Sequence, residues 1–581
     1  MFKKPLGMKK ALGLLITASA LALAACGQDT STPAETSTPA ETGNNGGAEA
    51  VAGNGIGTAM TNFQVEDQFF SETPMDLSLL FRQLAESPWQ NDWMMVERLR
   101  ELTNVNLASN TTAILHDDFA QQRQLMIAAG DAPELMPFMY GQYVAQFVAG
   151  GGLLPITDYI QHMPHFNHFL DLWDLRDEFE TTRQADGNFY HLPGFQEDIR
   201  VRFTIAMRRD ILEDLNLEAP TNWDEVAEVL AAVEAAFPGT VPYQAAWGGD
   251  AITNIAARTF GVRFGWGLGN GLILDHATNT HNHISQMPEM RDFTEYWAGL
   301  VRDGLLLPES MAGGFNEAWE NFVNGYSFAV DTSGAGMHAS LSRDIQNLVA
   351  DGMTGGPFGI DENTTLLTLP TPNGPAGFVG ENRLNNGLVL NSSIREREDF
   401  IAILQFVDWL WYSEAGREFS MWGIEGETFE WVDGRRQLKE GFTNPSWTFG
   451  GNIEHADEWQ QMQRDLGFSE NVWLPSMGAS RELTISTMSE ELQELHMLNA
   501  TRVQAPFNPG PPYNDEEREI ASGIATAVTD NTNAVVRRFI VGELELNDAN
   551  WNEFVVQAAL DMGVERLLEL ADEAHVRERL N

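Results

Sequence analysis

Met75-Asp76-Leu77-Ser78-Leu79-Leu80-Phe81, followed by Asn91-Asp92-Trp93-Met94-Met95-Val96-Glu97-Arg98-Leu99-Arg100-Glu101-Leu102-Thr103, is the stretch that decides the fold class. The first run reads as a strand. In the second, Trp93, Met94, Val96, Leu99 and Leu102 recur at helical spacing. A short strand near Val105–Leu107, a helix over Asp117–Ala129 and a strand over Glu134–Met139 continue the alternation. Strands and helices in turn predict an α/β lobe with a largely parallel sheet. The rhythm resumes after Phe203. A helix is expected over Asp224–Ala236, opened by Thr221 with Asp224 three residues on, and a strand over Tyr243–Ala246. Helices dominate again over Arg397–Phe419 and from Asp515 to the end.

Upstream of this body the chain has a different character. Lys3, Lys4, Lys9 and Lys10 precede an apolar run, Ala11–Ala25, that ends in small residues, the three-part layout of a secretory signal. The run is short of the ~20 residues that a spanning helix needs, and no later stretch reaches that length. Leu23-Ala24-Ala25-Cys26 contains the only cysteine in the sequence and resembles the lipobox of bacterial lipoproteins. That resemblance implies that Cys26 is acylated and becomes the mature N-terminus, with enough acyl chains for stable anchoring. From Gly27 to about Thr58 the composition is Ser, Thr, Pro, Ala, Glu, Gly and Asn, and Ser31-Thr32-Pro33-Ala34-Glu35-Thr36 repeats as Ser37-Thr38-Pro39-Ala40-Glu41-Thr42. Such a segment cannot bury a core and is expected to act as a tether.

The formal net charge is −48, and Lys439 is the only lysine beyond the signal-like segment. A chain this acidic repels nucleic acid and anionic lipid at long range. It suits salty surroundings, where self-repulsion is screened over ~3 Å at 1 M salt. With no second cysteine, disulfides and zinc–thiolate sites are excluded. The remaining length calls for more than one core.

Motifs for chemistry are sparse. There is no Gly-x-x-x-x-Gly-Lys-Ser/Thr loop, no Gly-x-Ser-x-Gly and no His-Glu-x-x-His. Gly267-Leu268-Gly269-Asn270-Gly271 is only superficially like a nucleotide loop. His162, His165 and His168 have helical spacing, but Pro164 between them argues against a helix, and they read as surface or loop residues. His276, His281 and His283 read the same way. Paired carboxylates of a glycoside hydrolase would occur by chance among 83 acidic residues. No cofactor and no metal is expected.

Tryptophan is more informative. Sixteen are present, and Trp89, Trp247, Trp266, Trp447 and Trp473 sit in polar or Gly-rich contexts. Trp247 directly follows a predicted strand and precedes Gly248-Gly249-Asp250. Ligands of open α/β sheets collect at the carboxyl ends of strands. An indole there offers a flat apolar face suited to a sugar ring, with a donor at its edge.

Four segments together resemble the extracellular solute-binding proteins, family 1, of bacteria. They are Asp186–Pro193, Met207–Leu217 running into Ala219–Glu225, Trp409–Gly416 with Gly423–Thr428, and Phe539–Glu543 with Trp551. Asn216 stands where that family usually has glycine. The last two segments resemble larger lipoproteins attributed to oligosaccharide uptake, including aldouronate-type sugars.

The resemblance implies an α/β, type II periplasmic-binding-protein fold: two α/β lobes joined by crossing hinge strands, with a helical C-terminal extension. The expected boundaries are a signal over 1–25 and a lipidated tether over 26–58. Lobe 1 would take 59–198 with 326–395, lobe 2 would take 199–325 with 396–505, and the extension 506–581. Crossings would fall near 195–205, 320–330 and 390–400. The implied function is capture of an oligosaccharide in the interlobe cleft by hinge closure and delivery to the membrane permease of an ABC importer. The chain would be a monomer outside the cytoplasm, lipid-anchored, not an enzyme, and without nucleic-acid partners.

Expected contacts are Gln83 and Trp89 after the first strand; Tyr140, Gln142 and Tyr143 after the strand ending at Met139; and Phe195, Gln196 and Arg202 near the first crossing. Trp247, Asp250, Trp266 and Trp447 would contribute from elsewhere, with Asn385 and Asn386 near the last crossing. The alternatives are a surface glycoside hydrolase or lyase, and a ligand-sensing lipoprotein of the same fold.

Overall fold

The computed structural model describes residues 55–580 apart from residues 86, 185, 200–202, 334, 381–382, 445–458, 469–479, 489 and 507. The signal-like segment, Cys26, Arg202, Trp447 and Trp473 therefore lie outside the described residues.

The strands that matter to the site are β1 (Leu79–Gln83), β2 (Thr111–Leu115), β3 (Leu135–Met139), β4 (Leu192–Phe195), β5 (Thr204–Arg208), β6 (Tyr243–Gln244), β7 (Ala329–Thr332), β8 (Leu366–Thr368) and β9 (Leu384–Leu390). The helices are α1 (Met94–Thr103), α2 (His116–Ala129), α3 (Pro164–Leu172), α4 (Trp223–Ala236), α5 (Asp250–Thr259), α6 (Phe400–Tyr412), α7 (Glu490–Ala500), α8 (Asp515–Ile540) and α9 (Val564–Leu580).

Two sheets organise them. One runs β2-β1-β3-β9-β4, with β1 parallel to β2 and β3, and β9 antiparallel to β3 and β4. The other runs β8-β5-β7-β6, with β7 parallel to β6 and antiparallel to β5, and β8 antiparallel to β5. All five residues of β3 are buried, because a sheet covered on both faces takes a continuous apolar run instead of an alternating one. Pro137 in β3 cannot donate to the ladder, and the β3–β9 register shifts beside it, between Gly387 and Val389.

Local chemistry sets the helix ends. Asn104 closes α1 in the left-handed conformation, its N–H returning to the Arg100 carbonyl. The cap of α4 is Asn222, one residue beyond the expected Thr221. Its side chain accepts the Glu225 N–H at 2.9 Å, while the Glu225 carboxylate takes the Thr221 N–H and hydroxyl at 2.7 and 2.8 Å. Pro164 does not block a helix: it is the first residue of α3, where its missing N–H costs nothing. The α3 N-terminus rests on the buried Asp408, which accepts the His165 N–H at 2.9 Å, the Phe166 N–H at 2.8 Å and the His165 imidazole Nδ1 at 2.8 Å.

Each sheet has its own core. Phe81, Trp93, Phe166, Phe195 and Trp409 share one cluster with Leu388 and Leu390. Trp223, Phe293 and Trp297 anchor the other, which α8 joins through Val535, Val536, Phe539 and Ile540.

The pairing corrects the expected segmentation. Residues of β7 and β8 belong to the second sheet, not to the first lobe, and α6 packs in the core of the first. The chain passes between sheets over 196–203 and 369–383, and again after α7. These passages are laced together. Asp198 takes both arms of the Arg481 guanidinium at 2.7 and 2.6 Å and His496 Nε2 at 3.1 Å. The Val379 N–H donates to the Val503 carbonyl at 3.1 Å. Burial pushes the Asp198 carboxyl up, but Arg481 and His496 outweigh it and hold it below the ordinary range.

Candidate functional site

Topology brings two sheet edges to one place. β3 and β4 run parallel through their shared antiparallel neighbour β9, so their carboxyl ends lie on the edge where β9 begins. In the second sheet β6, β7 and β8 end on the edge where β5 begins. The segment 196–203 leaves the first edge and enters the second, and 369–383 returns the same way. Both passages therefore join carboxyl edges, which is where ligands of open α/β sheets gather.

On the first edge the end of β3 is held under tension. Phe138 has φ +59°, uncommon for an aromatic residue. The Arg82 guanidinium lies 3.9 Å from its ring centroid, and the Arg123 Nη1 donates to its carbonyl at 2.6 Å. His191 Nε2–H donates to the Met139 carbonyl at 2.9 Å. Burial drives the His191 pKa down to about 4, with the Arg123 charge adding to the effect, so this imidazole is neutral at pH 7. Burial also lowers the Arg123 guanidinium to about 10. These bonds fix the turn that presents Tyr140 and Tyr143, both exposed and edge-to-face at 6.3 Å.

On the second edge the chain leaves β6 and turns through Trp247, Gly248 and Gly249, with φ of +51°, +63° and +73°. Only glycine takes such values at no cost, so Trp247 stores strain that the surroundings must offset. Beneath the turn the fully buried Asp331 accepts the Ala246 N–H at 3.0 Å and the Tyr243 hydroxyl. Burial raises the Asp331 carboxyl to about 8. Behind it, Arg537 at the end of α8 donates to the Gly248 carbonyl at 3.3 Å and pairs with Asp250. A side chain at Gly249 would run into the sulfur of Met311 at 2.7 Å.

The turn carries an aromatic group. Trp247 stacks on Phe315 at 4.8 Å and 21°, and meets Phe203 edge-on at 5.3 Å and Trp266 at 6.1 Å. Phe203 meets Trp266 at 5.3 Å, and Trp319 extends the group from Phe315 at 5.2 Å. Trp266 stands on a bend flattened against α5: a Cβ at Gly267 would collide with Asn254 and Arg258. Trp266 is 53% exposed.

The expected contacts therefore divide. Tyr140, Tyr143, Trp247 and Trp266 are on the carboxyl edges or beside them. Gln83 ends β1 and accepts the Trp89 N–H at 3.1 Å, while Trp89 leans on Phe81 and Trp93 and donates from Nε1 to Asn91 at 2.7 Å. Asn385 and Asn386 are half-buried in β9. Phe195 is corrected: it is wholly buried, wedged between Phe166 at 4.8 Å and Tyr412 at 5.2 Å, a core residue. Gln196 is also buried. The Asp250 carboxylate is engaged by Arg537 and supports the turn. Arg202, Trp447 and the side chain of Gln142 lie outside the described residues.

Phe203 and Phe315 were missed. The signal for Phe203 was its place at the end of the first crossing. For Phe315 and Trp319 it was the i, i+4 aromatic pair following Gly313-Gly314. Among the described residues no group of three or more His, Cys, Asp or Glu side chains could hold a metal ion.

A family model described as bacterial extracellular solute-binding protein matches residues 110–410. The chain belongs to the bacterial extracellular solute-binding protein family. Its structure has the two-lobed type II fold of that family, with a helical C-terminal region.

Among solved structures this solute-binding protein is similar to the alginate-binding protein AlgQ2, crystallised without calcium ion, at a TM-score of 0.62 and 18% identity over 88% of this chain and 99% of the other. It is similar to an HMO-binding, ABC-transporter-associated solute-binding protein of Bifidobacterium longum infantis, at 0.58 and 14% over 87% and 99%. It is also similar to the S. pneumoniae ABC-transporter substrate-binding protein FusA (an EF-hand mutant in complex with fructo-nystose), at 0.56 and 17% over 87% and 100%. At these identities the likeness is one of fold. No curated protein matches the chain in sequence. No helix among the described residues is long and apolar enough to cross a membrane.

Proposed function

We propose that this protein is the substrate-binding lipoprotein of an ABC importer and that it captures an oligosaccharide between its two lobes. The observation that carries the reading is the Phe203–Trp247–Trp266–Phe315 group on the edge fed by the 196–203 crossing. Stacked and edge-on rings, one of them half exposed, suit the apolar C–H faces of pyranose rings. Tyr140 and Tyr143 provide two further exposed rings with hydroxyl tips on the opposite edge. The ligands named for the similar structures, alginate, HMO and fructo-nystose, are all saccharides. That supports the ligand class without selecting a sugar.

Capture requires chemistry no more demanding than closure. Ligand held by both edges favours the closed arrangement by its differential affinity. The passages at 196–203 and 369–383 are where a hinge motion would be absorbed. Cys26 anchors the chain and the following tether gives it reach to a permease. The test is a thermal-shift and calorimetric panel of neutral and uronic oligosaccharides against the mature chain, with a peptide panel beside it. Saturable binding of a saccharide with quenched tryptophan fluorescence is expected. Binding of peptides and of no saccharide would refute the ligand class. Mass spectrometry of the membrane-extracted protein checks the anchor: a diacylglyceryl adduct on an N-terminal Cys26 is expected.

A further inference from the structure

A cavity of about 660 Å³ lies against the first core, within the ~300–1,000 Å³ of ordinary small-molecule sites. It is bounded by residues 65–68, one face of α3 and the residues that follow α6. On α3 the positions His165, Phe169 and Leu172 fall at i, i+4 and i+7, so they share that face. The lining includes none of Tyr140, Tyr143, Trp247 and Trp266, so this is not the interlobe cleft.

His165 makes the cavity more than a packing gap. The residue is 2% exposed. Its Nδ1 lies 2.8 Å from the Asp408 carboxylate, which also accepts the His165 and Phe166 N–H groups. Phe63 leans on the ring at 5.3 Å. Nδ1 is therefore the donor to Asp408, and in the neutral imidazole Nε2 is left as an acceptor. Nε2 has no partner among the described residues. Unlike His191 Nδ1, His281 Nε2 and His283 Nε2, it is not sealed away from solvent. It opens into the cavity that His165 lines.

The charge of the wall points to the kind of donor. Glu66, Asp67, Glu197 and Glu414 contribute carboxylates, and no lysine or arginine is among the described lining residues. In a chain with 83 acidic residues such a ring decides nothing by itself. Here it agrees with the Nε2 lone pair, since both call for a positively charged N–H group. Glu66 and Glu414 are exposed, and Glu414 accepts the Ser480 hydroxyl at 3.0 Å, which leaves its charge in place. Phe169, Leu172 and Trp173 supply the apolar part of the wall.

We propose that this cavity binds a primary organic ammonium compound with an apolar body, which donates an N–H to His165 Nε2 and rests its body on Phe169, Leu172 and Trp173. The carboxylates repel an anion of the same shape. A quaternary ammonium has the charge without the donor, and an alcohol has a donor without the charge.

The mature chain is titrated by calorimetry with 2-phenylethylamine. Benzyltrimethylammonium, 2-phenylethanol and phenylacetate serve as probes that each lack one part of that chemistry. The proteins are wild type, His165→Asn, Ala415→Trp and Trp247→Ala/Trp266→Ala. The asparagine amide can keep the bond to Asp408 but has nothing at the Nε2 position. Ala415 is exposed on the lining, so an indole there blocks the mouth without entering the core. The expected result is one saturable site for 2-phenylethylamine in wild type, with each of the other probes at least tenfold weaker. Affinity should fall at least tenfold in His165→Asn and in Ala415→Trp, and stay within threefold in Trp247→Ala/Trp266→Ala. The proposal is overturned if the amine fails to saturate at one site, as general attraction to an acidic surface would give, or if any of the three probes comes within tenfold of it. It is also overturned if either folded cavity variant loses less than tenfold, or if the cleft variant loses more than threefold. Should His165→Asn not fold, Ala415→Trp decides the matter. Failure of this site leaves the cleft reading intact, because the oligosaccharide panel reports on that separately.

Discussion

Replacing Trp266 by alanine tests the cleft most directly. Trp266 is 53% exposed, and its ring touches the rest of the group only edge-on, to Phe203 at 5.3 Å and Trp247 at 6.1 Å. A tryptophan covered on all sides buries ~150–250 Å². About half of that is open here, so a sugar lying on the indole would cover ~75–130 Å². At ~25 cal/mol per Å² this is worth ~2–3 kcal/mol, a ~30- to 150-fold loss of affinity on truncation. The half that the protein already covers is lost as well, ~2–3 kcal/mol by the same coefficient, so the variant should stay folded with a melting temperature lower by up to ~10 °C. The assay is calorimetric titration of whichever oligosaccharide binds the wild type, with Trp431→Ala as control. Trp431 is an exposed ring on the hairpin Phe429–Leu438, set against Arg436 and outside the Phe203–Trp247–Trp266–Phe315 group. If folded Trp266→Ala binds within threefold of wild type, or Trp431→Ala weakens binding as much, the assignment of the aromatic group is wrong.

Three further outcomes are expected. Asp331 keeps its proton to about pH 8 in the folded chain, whereas the unfolded carboxyl releases it near 3.8. The folded state binds more protons in that window, so wild-type stability falls with rising pH, by up to ~1.4 kcal/mol per unit; urea titrations of wild type and Asp331→Asn at pH 5 and pH 8 should show a shallower slope in the variant. Arg537→Met frees the Gly248 carbonyl and Asp250 together, and the loosened Trp247 turn should cost about tenfold in ligand affinity, on the scale of one ~1.5 kcal/mol charge-assisted bond. Asp408→Ala strands two N–H groups at the start of α3 and removes the partner of a buried imidazole; a loss of ~3–5 kcal/mol should appear as a lower urea midpoint with an unchanged slope.

Much of the fold was legible because it is local. The apolar positions of α1 and α4, and the buried runs of β1 and β3, follow from periodicity and composition. The start of α4 is legible to within a residue, since a cap is a short-range bond: Asn222 and Thr221 differ by one step in the same turn, whereas α1 and α6 begin three residues after the expected Asn91 and Arg397. Pro164 is ambiguous in sequence because proline's effect depends on whether it falls inside a helix or at its first position. His165 looks like a surface or loop residue for a related reason, since its partner Asp408 is contributed by α6, far along the chain.

The site was legible in part. Trp247 stood out because a tryptophan next to two glycines after a strand is a poor choice for a core. Trp266 stood out for the same glycine-rich setting. Phe195 was placed wrongly because sequence proximity to a crossing does not say which way a side chain points. In a sheet covered on both faces even the last residue of a strand can be core. Phe203 and Phe315 are separated by more than a hundred residues and gain meaning only when their rings meet on Trp247.

From the sequence alone came the alternation of strand and helix, the acidic and nearly lysine-free surface, the family resemblance and the aromatic supply. All of these depend on residue type and short spacing. Tertiary structure decided which sheet each strand joins, and so moved β7 and β8 to the second lobe. It also decided which rings form one group, and it put Asp331 and Arg537 under the Trp247 turn. Those choices belong to pairings between distant residues, whose energies depend on burial and geometry that no local pattern encodes.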